Sequence, residues 1–345
     1  MTTVDTAARL RAGDADGVAG ILRRGGDALR ERMAAVESHL DDLTAGAGSP
    51  LARHANATVR AGGKRLRPLL VVLATESAGG APETEEGEMG LVRAAVAVEL
   101  VHSATLVHDD LIDGAALRRG RPTVASVGGR SAAIATGDLL FSLAFAELAR
   151  NRSLTQLRAL SDASSALAAG ELLQREDVFA PQVSVERYLR RCELKTAALF
   201  EAACRLGALT AARSSRQLAD DLGWFARRVG LAFQMLDDVL DVSGPVERTG
   251  KPRGNDLLEG TVTLPLILAR TRDPELAQFD LSSLRTADHA LELCERIAAT
   301  GALQTARERA LAVVAEAKAS LPKILPNGRS RLLYLVADAV VERYR

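Results

Sequence analysis

The sequence predicts an all-α protein, and three observations carry that prediction. Hydrophobic residues make up 47% of the 345 residues while aromatics make up only 3%, so a large core must be built from small and straight side chains. Alanine, leucine and arginine dominate, and all three favour helix. Apolar residues recur at helical spacing, as in Ile21, Leu22, Leu29, Met33, Val36 and Leu40. No strand-like alternation persists, and no linker separates domains. Residues 18–345 are therefore expected to form one large helical domain, preceded by a frayed stretch over 1–17 that is small, polar and glycine-containing.

Taken in order, the periodicity predicts a helix from about 20 onward and a second over Pro68 to Ser77. Gly79 to Gly90, GGAPETEEGEMG, reads as an acidic loop. Leu91 to Asp113 is one long apolar helix, followed by a basic loop over Gly114 to Thr123. Helices are expected at about 130–150, 153–178, 184–209 and 214–242, and then a Gly/Pro-rich loop over Ser243 to Gly260. Shorter helices fill the remainder. One is announced by Asp273–Pro274, a cap followed by proline at the first helical position.

Composition narrows the function. Lysine plus arginine number 44, as do aspartate plus glutamate, so no global field attracts nucleic acid or an anionic membrane. Cys192, Cys204 and Cys294 are isolated, which fits a reducing cytoplasm. The N-terminus has no signal-peptide character, and no run approaches the roughly 18 apolar residues of a spanning helix, so a protein without a transmembrane segment is expected.

Two nearly repeated segments carry the chemistry: LVHDDLID, Leu106 to Asp113, and QMLDDVLD, Gln234 to Asp241. On a helix, Asp109 and Asp113 share a face, as do Asp237 and Asp241. A lone DDxxD usually reads as a solvated acidic face. Here both copies lie among leucine, isoleucine and valine, where like charges repel strongly. A divalent cation relieves that repulsion. Aspartate oxygens without histidine or cysteine select a hard ion, most simply Mg²⁺. Because Mg²⁺ bridges to phosphates, two such clusters suggest a diphosphate clamped between them. Basic residues stand nearby in sequence: Lys64, Arg65 and Arg67 in AGGKRLRP; Arg118, Arg119 and Arg121 in LRRGRPT; Lys195–Thr196; and Lys251 in GKPRGND. Singly, each reads as solvation; His102 and Gln234 singly read as packing residues.

These segments, with GDLLFSLAF, KTAALFEAA and GKPRGNDLLEGTVTLPL, resemble the polyprenyl synthetase family of trans-type isoprenyl diphosphate synthases. They appear in the family's order over about 50 to 270. The resemblance implies an isoprenoid-synthase fold with a central cavity and a catalytic domain over 18–345. It implies that Asp109, Asp113 and Asp237 bind Mg²⁺, supported by Asp110, Asp238 and Asp241. Arg118, Lys195, Thr196, Gln234 and Lys251 would contact an allylic diphosphate. Lys64, Arg67, His102 and Arg119 would cradle isopentenyl diphosphate. Lys195 joins the three metal-binding aspartates as a catalytic candidate, and family members are commonly homodimers.

Helix spacing places Thr105, Val101 and Val98 on the stripe beneath Asp109, and the resemblance adds Ala104. Short-chain members tend to carry an aromatic floor there. Alanine and threonine leave it open, so a medium or long polyprenyl product is expected, against the alternative of a farnesyl or geranylgeranyl synthase. A class I terpene cyclase usually lacks the second DDxxD and the GGKRLRP site. A non-catalytic subunit of a heteromeric synthase, or a prenyl-lipid binding module, would not need an intact site.

Overall fold

The computed structural model describes residues 17–45, 50–244, 253–325 and 328–342. The expected frayed stretch therefore lies, but for Gly17, outside the described residues, as does Lys251. The chain is all-α: α1 Gly17–Ala45, α2 Pro50–Arg60, α3 Leu66–Ser77, α4 Glu85–Ile112, α5 Val124–Ala149, α6 Leu154–Asp177, α7 Val185–Cys192, α8 Ala198–Thr210 and α9 Arg216–Ser243. After these come α10 Asn255–Leu258, α11 Leu264–Arg270, α12 Pro274–Gln278, α13 Ala287–Ala299, α14 Ala302–Ile324 and α15 Arg331–Glu342. A π-helical turn, Glu193–Ala197, joins α7 to α8. Asp273 caps α12 as expected, accepting from the backbone N–H of Glu275 and Leu276.

Contacts divide the chain into two compact units. The first takes residues up to 164, 199–226 and 320–339; the second takes 165–198, 227–319 and those from 340 on. Helices α6, α8, α9, α14 and α15 each contribute residues to both.

In the first unit α4 is the central element. It packs against α5, α3 and α1. It is apolar on nearly every side, and a helix of that kind must be enclosed; Leu91, Val98, Leu100, Val101 and Ala104 are completely buried. The helix starts six residues earlier than the sequence suggested, inside the expected acidic loop. Thr84 caps it by accepting from Gly87 N–H, and Glu85, Glu86 and Glu88 occupy the first turn, where the helix dipole favours negative charge. Glycine and proline nearby made that turn look like loop.

Its other end fixes the first aspartate cluster. Ala115 N–H donates to the carbonyl of Asp110 and Gly114 N–H to that of Leu111, while Gly114 takes φ +64°. This is a Schellman stop, in which glycine adopts the left-handed conformation. The basic loop that follows is a two-stranded ribbon, β1 Leu117–Arg118 paired antiparallel with β2 Arg121–Pro122. Arg119 and Gly120, at φ +52° and +72°, form its turn; positive φ at both central residues is the hairpin signature.

The second unit contains the later part of α6, all of α7, the π turn, α9 from Arg227 onward, α10 to α13 and most of α14. Arg191 ties it together. Its guanidinium donates to Asp177 and to the carbonyl of Val262, and it stacks on Tyr188.

Among the described residues two helices, α4 and α5, are long and apolar enough to cross a bilayer by length and composition, which corrects the expectation that no run reaches that length. Both belong to the first unit and pack against each other, and 72% of the α4 window is buried inside the protein.

Candidate active site

The first unit carries the first aspartate cluster. Asp109 is half-buried and Asp113 exposed, while Asp110 between them is buried and accepts from Arg118 Nε at 2.6 Å. Asp109 and Asp113 stand in the last turn of α4, where the helix dipole is already negative. Two carboxylates placed there favour a cation for two reasons, mutual repulsion and the dipole.

The same unit gathers cationic side chains around His102. Arg67 lies over the ring of Phe200, 5.0 Å from its centroid, and its buried Nε has no hydrogen-bond partner. Burial pushes the Arg67 guanidinium down to about 10; Glu99 opposes that shift and Arg119 adds to it. Arg119 rests its guanidinium against Gly63, where any side chain would sit 3.0 Å from Nη1. Burial first, then Arg67, Arg119, Arg118 and Arg65, hold His102 well below its ordinary value, so the imidazole is neutral.

Arg65, which the sequence offered as a phosphate ligand beside Lys64, has another task. It is buried in the left-handed conformation at the start of α3, and bonds Glu37 at 2.5 and 3.2 Å, Glu99 at 2.7 Å and the Val59 carbonyl at 2.8 Å. Burial disfavours its charge, but Glu99 and Glu37 outweigh that and hold the guanidinium above its ordinary range. Arg65 anchors the loop that presents Lys64.

The second unit carries the second aspartate cluster. Asp237 and Asp241 are half-buried and Asp238 is buried, so the middle aspartate is again the enclosed one, while Asp241 is less exposed than Asp113. A chain of hydrogen bonds runs through this second cluster. Thr196 Oγ1 donates to Gln234 Oε1 at 2.7 Å, Gln234 Nε2 to Asp238 Oδ1 at 2.8 Å, and Tyr188 OH to Asp238 Oδ2 at 2.7 Å. Burial raises the Asp238 carboxyl to about 7; Asp256 and Asp237 add to this, against the two donors. Asp241 receives the backbone N–H of Asp256 at 3.3 Å, and its carbonyl receives that of Gly254 at 2.9 Å, which pins the chain beyond Lys251. Lys195 pairs with Glu171.

Among the described residues no three His, Cys, Asp or Glu side chains gather into a cation cage. An ion held by Asp109 with Asp113, or by Asp237, must draw further oxygens from elsewhere. Mg²⁺ binds in that manner, through one or two carboxylates plus substrate phosphate and water. The donor set fits it.

On the helix face beneath Asp109, Ala104, Val101 and Val98 are fully enclosed. Thr105 alone of the four keeps some exposed surface, and its hydroxyl donates to the His102 carbonyl at 2.8 Å.

A family model described as polyprenyl synthetase matches residues 49–299. The chain belongs to the polyprenyl synthetase family. A relative from Geobacillus stearothermophilus named heptaprenyl diphosphate synthase component 2 is 40% identical over 244 residues, 70% of this chain and 73% of its own. A Methanosarcina mazei protein named geranylgeranyl diphosphate synthase is 33% identical over 323 residues, 92% of this chain and 97% of its own. The structure of a polyprenyl synthase from Caulobacter crescentus CB15, complexed with calcium and isoprenyl diphosphate, matches with TM-score 0.86 at 33% identity, covering 96% of this chain and 99% of that one. Membership makes this an all-α prenyltransferase of the trans-prenyl diphosphate synthase type, a family whose substrates are isopentenyl diphosphate and an allylic diphosphate.

Three features of this polyprenyl synthetase were not read from the sequence: Tyr188, Glu171 and the π turn that carries Lys195 and Thr196. Single π turns inside helices often mark functional sites. The one local signal was Gly170, a glycine in a helix interior immediately before Glu171.

Proposed function

We propose that this protein condenses isopentenyl diphosphate with an allylic diphosphate, using Mg²⁺, to make a medium- or long-chain all-trans polyprenyl diphosphate. The observation that carries the reading is the cationic nest around neutral His102, in the same unit as the Asp109–Asp113 pair. Arg67, Arg119, Arg118 and Arg65 all act on His102, and the buried Arg67 Nε has no hydrogen-bond partner, whereas Arg65 is engaged by Glu37 and Glu99 and Arg118 by Asp110. Such a nest is relieved by an anion, and arginine forks match diphosphate oxygens.

In this reading Lys64, Arg67, His102 and Arg119 hold isopentenyl diphosphate without metal. Arg118, Lys195, Thr196, Gln234 and Lys251 hold the allylic diphosphate beside Asp109, Asp113 and Asp237. Mg²⁺ bound there supplies the positive charge that stabilises the departing diphosphate. As the allylic C–O bond ionises, the double bond of isopentenyl diphosphate attacks the cation, and a proton passes to the released diphosphate. Apolar walls exclude water that would quench the cation. A calcium-bound relative with an isoprenyl diphosphate supports this chemistry.

The long-chain reading rests on the absence of an aromatic side chain at Ala104 and Thr105. Relatives carry both heptaprenyl and geranylgeranyl names. We further propose a reducing, cytoplasmic setting, in keeping with three buried, unbridged cysteines, and a homodimer. One relative is named as a component, so sedimentation of the chain alone tests the homodimer.

The deciding experiment incubates purified protein with Mg²⁺, isopentenyl diphosphate and geranyl, farnesyl or geranylgeranyl diphosphate, then sizes the dephosphorylated products. Medium or long chains are expected. Products ending at farnesyl or geranylgeranyl would establish the short-chain alternative, and no product from any primer would establish the non-catalytic one.

A further inference from the structure

The π turn Glu193–Ala197 widens the helix for one turn, and both of its polar side chains that point to chemistry are held. Thr196 is fixed by Gln234. Lys195 is fixed by Glu171 of α6, whose other carboxylate oxygen receives Arg175 Nε at 3.2 Å. Glu171 and Lys195 are both largely buried, their side chains 13% and 24% exposed. A flexible lysine stem at such depth would otherwise sample many rotamers.

The backbone shows the same fit. At Gly170 a Cβ would lie 2.6 Å from Lys195 N, 2.9 Å from Lys195 Cα and 2.9 Å from Leu194 Cβ. Helix α6 thus touches the π turn directly, and only glycine permits it. The Gly170–Glu171 step contacts Lys195 twice, once at the backbone and once at the ammonium. A salt bridge serving stability alone would need only the second contact.

We propose that Glu171 is a positioning residue that sets the Lys195 ammonium for the allylic diphosphate, with Gly170 admitting the close approach. The inference rests on the proposed role of Lys195. Glu171 shares its charge between Lys195 and Arg175, so it orients the ammonium without fully neutralising it. The ammonium then meets the diphosphate already ordered, and little rotamer freedom remains to be lost on binding.

The test compares Glu171→Gln, Glu171→Asp, Lys195→Ala and the Glu171→Gln/Lys195→Ala double variant. KM for each substrate is measured separately, and the affinity for inorganic diphosphate with Mg²⁺ is measured by calorimetry. Glu171→Gln is expected to raise the allylic KM and weaken diphosphate binding about tenfold, the scale of one charge-assisted contact, with isopentenyl KM unchanged. Glu171→Asp, which keeps the charge but withdraws it by one methylene, should fall between. In the Lys195→Ala background Glu171→Gln should have no further effect.

Tighter diphosphate binding in Glu171→Gln would show competition rather than positioning and overturn the proposal. Equal losses with and without Lys195, or equal changes in both KM values, would reduce Glu171 to a structural pair. An inactive wild type would remove the proposed function, and the calorimetric comparison would still decide the role of Glu171.

Discussion

Replacing Thr105 with phenylalanine should shorten the product without unfolding the protein. Thr105 lies four residues before Asp109 on α4, about 6 Å along the axis at 1.5 Å per residue. That depth is on the order of one isoprene repeat below the diphosphate. The neighbouring positions are closed: Ala104 and Val101 have no exposed surface, whereas Thr105 has some. A phenyl ring at 105 starts from a partly exposed position. At 104 it must displace packed atoms, at a cost of about 1–3 kcal/mol. The hydroxyl lost at 105 only back-bonds within its own helix, to the His102 carbonyl, and such bonds add little stability. Thr105→Phe should therefore keep a near-native melting temperature, accept a short primer, and release a truncated chain. Ala104→Phe should shorten the chain only together with a measurable loss of stability. Products would be dephosphorylated and compared by chromatography, alongside thermal melts. An unchanged length distribution from a well-folded, active Thr105→Phe variant would mean that the tail follows another wall, and the long-chain reading would lose its support.

Three other outcomes are expected. Asp109→Ala and Asp237→Ala should each lower turnover by about a hundredfold or more while melting temperature holds or rises, because a repelling carboxylate is removed; near-normal turnover in either would remove the metal-clamp assignment. Lys64→Ala should raise KM for isopentenyl diphosphate by roughly tenfold and leave the allylic value nearly unchanged, a split visible in separate titrations. His102 is held neutral in the folded state, so below its ordinary value of 6.5 the unfolded chain binds a proton that the folded one refuses. Stability is therefore lost as pH falls through that value. The loss attributable to His102 is about 1.4 kcal/mol per pH unit at most, so His102→Gln should gain on wild type in urea melts between about pH 7 and pH 5.5. A difference independent of pH would contradict the neutral assignment.

The helical class, the two aspartate clusters and the family's motif order were legible in the sequence because each rests on local spacing. A 3.6-residue period puts Asp109 with Asp113 and Asp237 with Asp241 whatever else the chain does. Capping at Asp273–Pro274 was legible for the same reason. Helix starts were harder to read. Glu85 to Gly90 looked like loop, because the Thr84 cap sits beside Pro82 and two glycines that signal a turn equally well. The ribbon at 117–122 was hidden because an Arg-Gly turn lacks the usual asparagine or aspartate.

Only the tertiary structure decided what each charged residue is for. Lys64, Arg65 and Arg67 are near neighbours of one chemical type, yet Arg65 is committed to Glu37 and Glu99, residues 28 and 34 positions away. Arg67 joins His102 and Arg119 instead. Asp238 is distinguished from Asp237 by facing inward to Tyr188, 50 residues before it. Lys195 finds Glu171 across 24 residues, through a π turn that no propensity marks. Periodicity fixes which face of a helix a side chain occupies. The identity of the partner on that face depends on where distant segments pack, and local spacing carries no record of that.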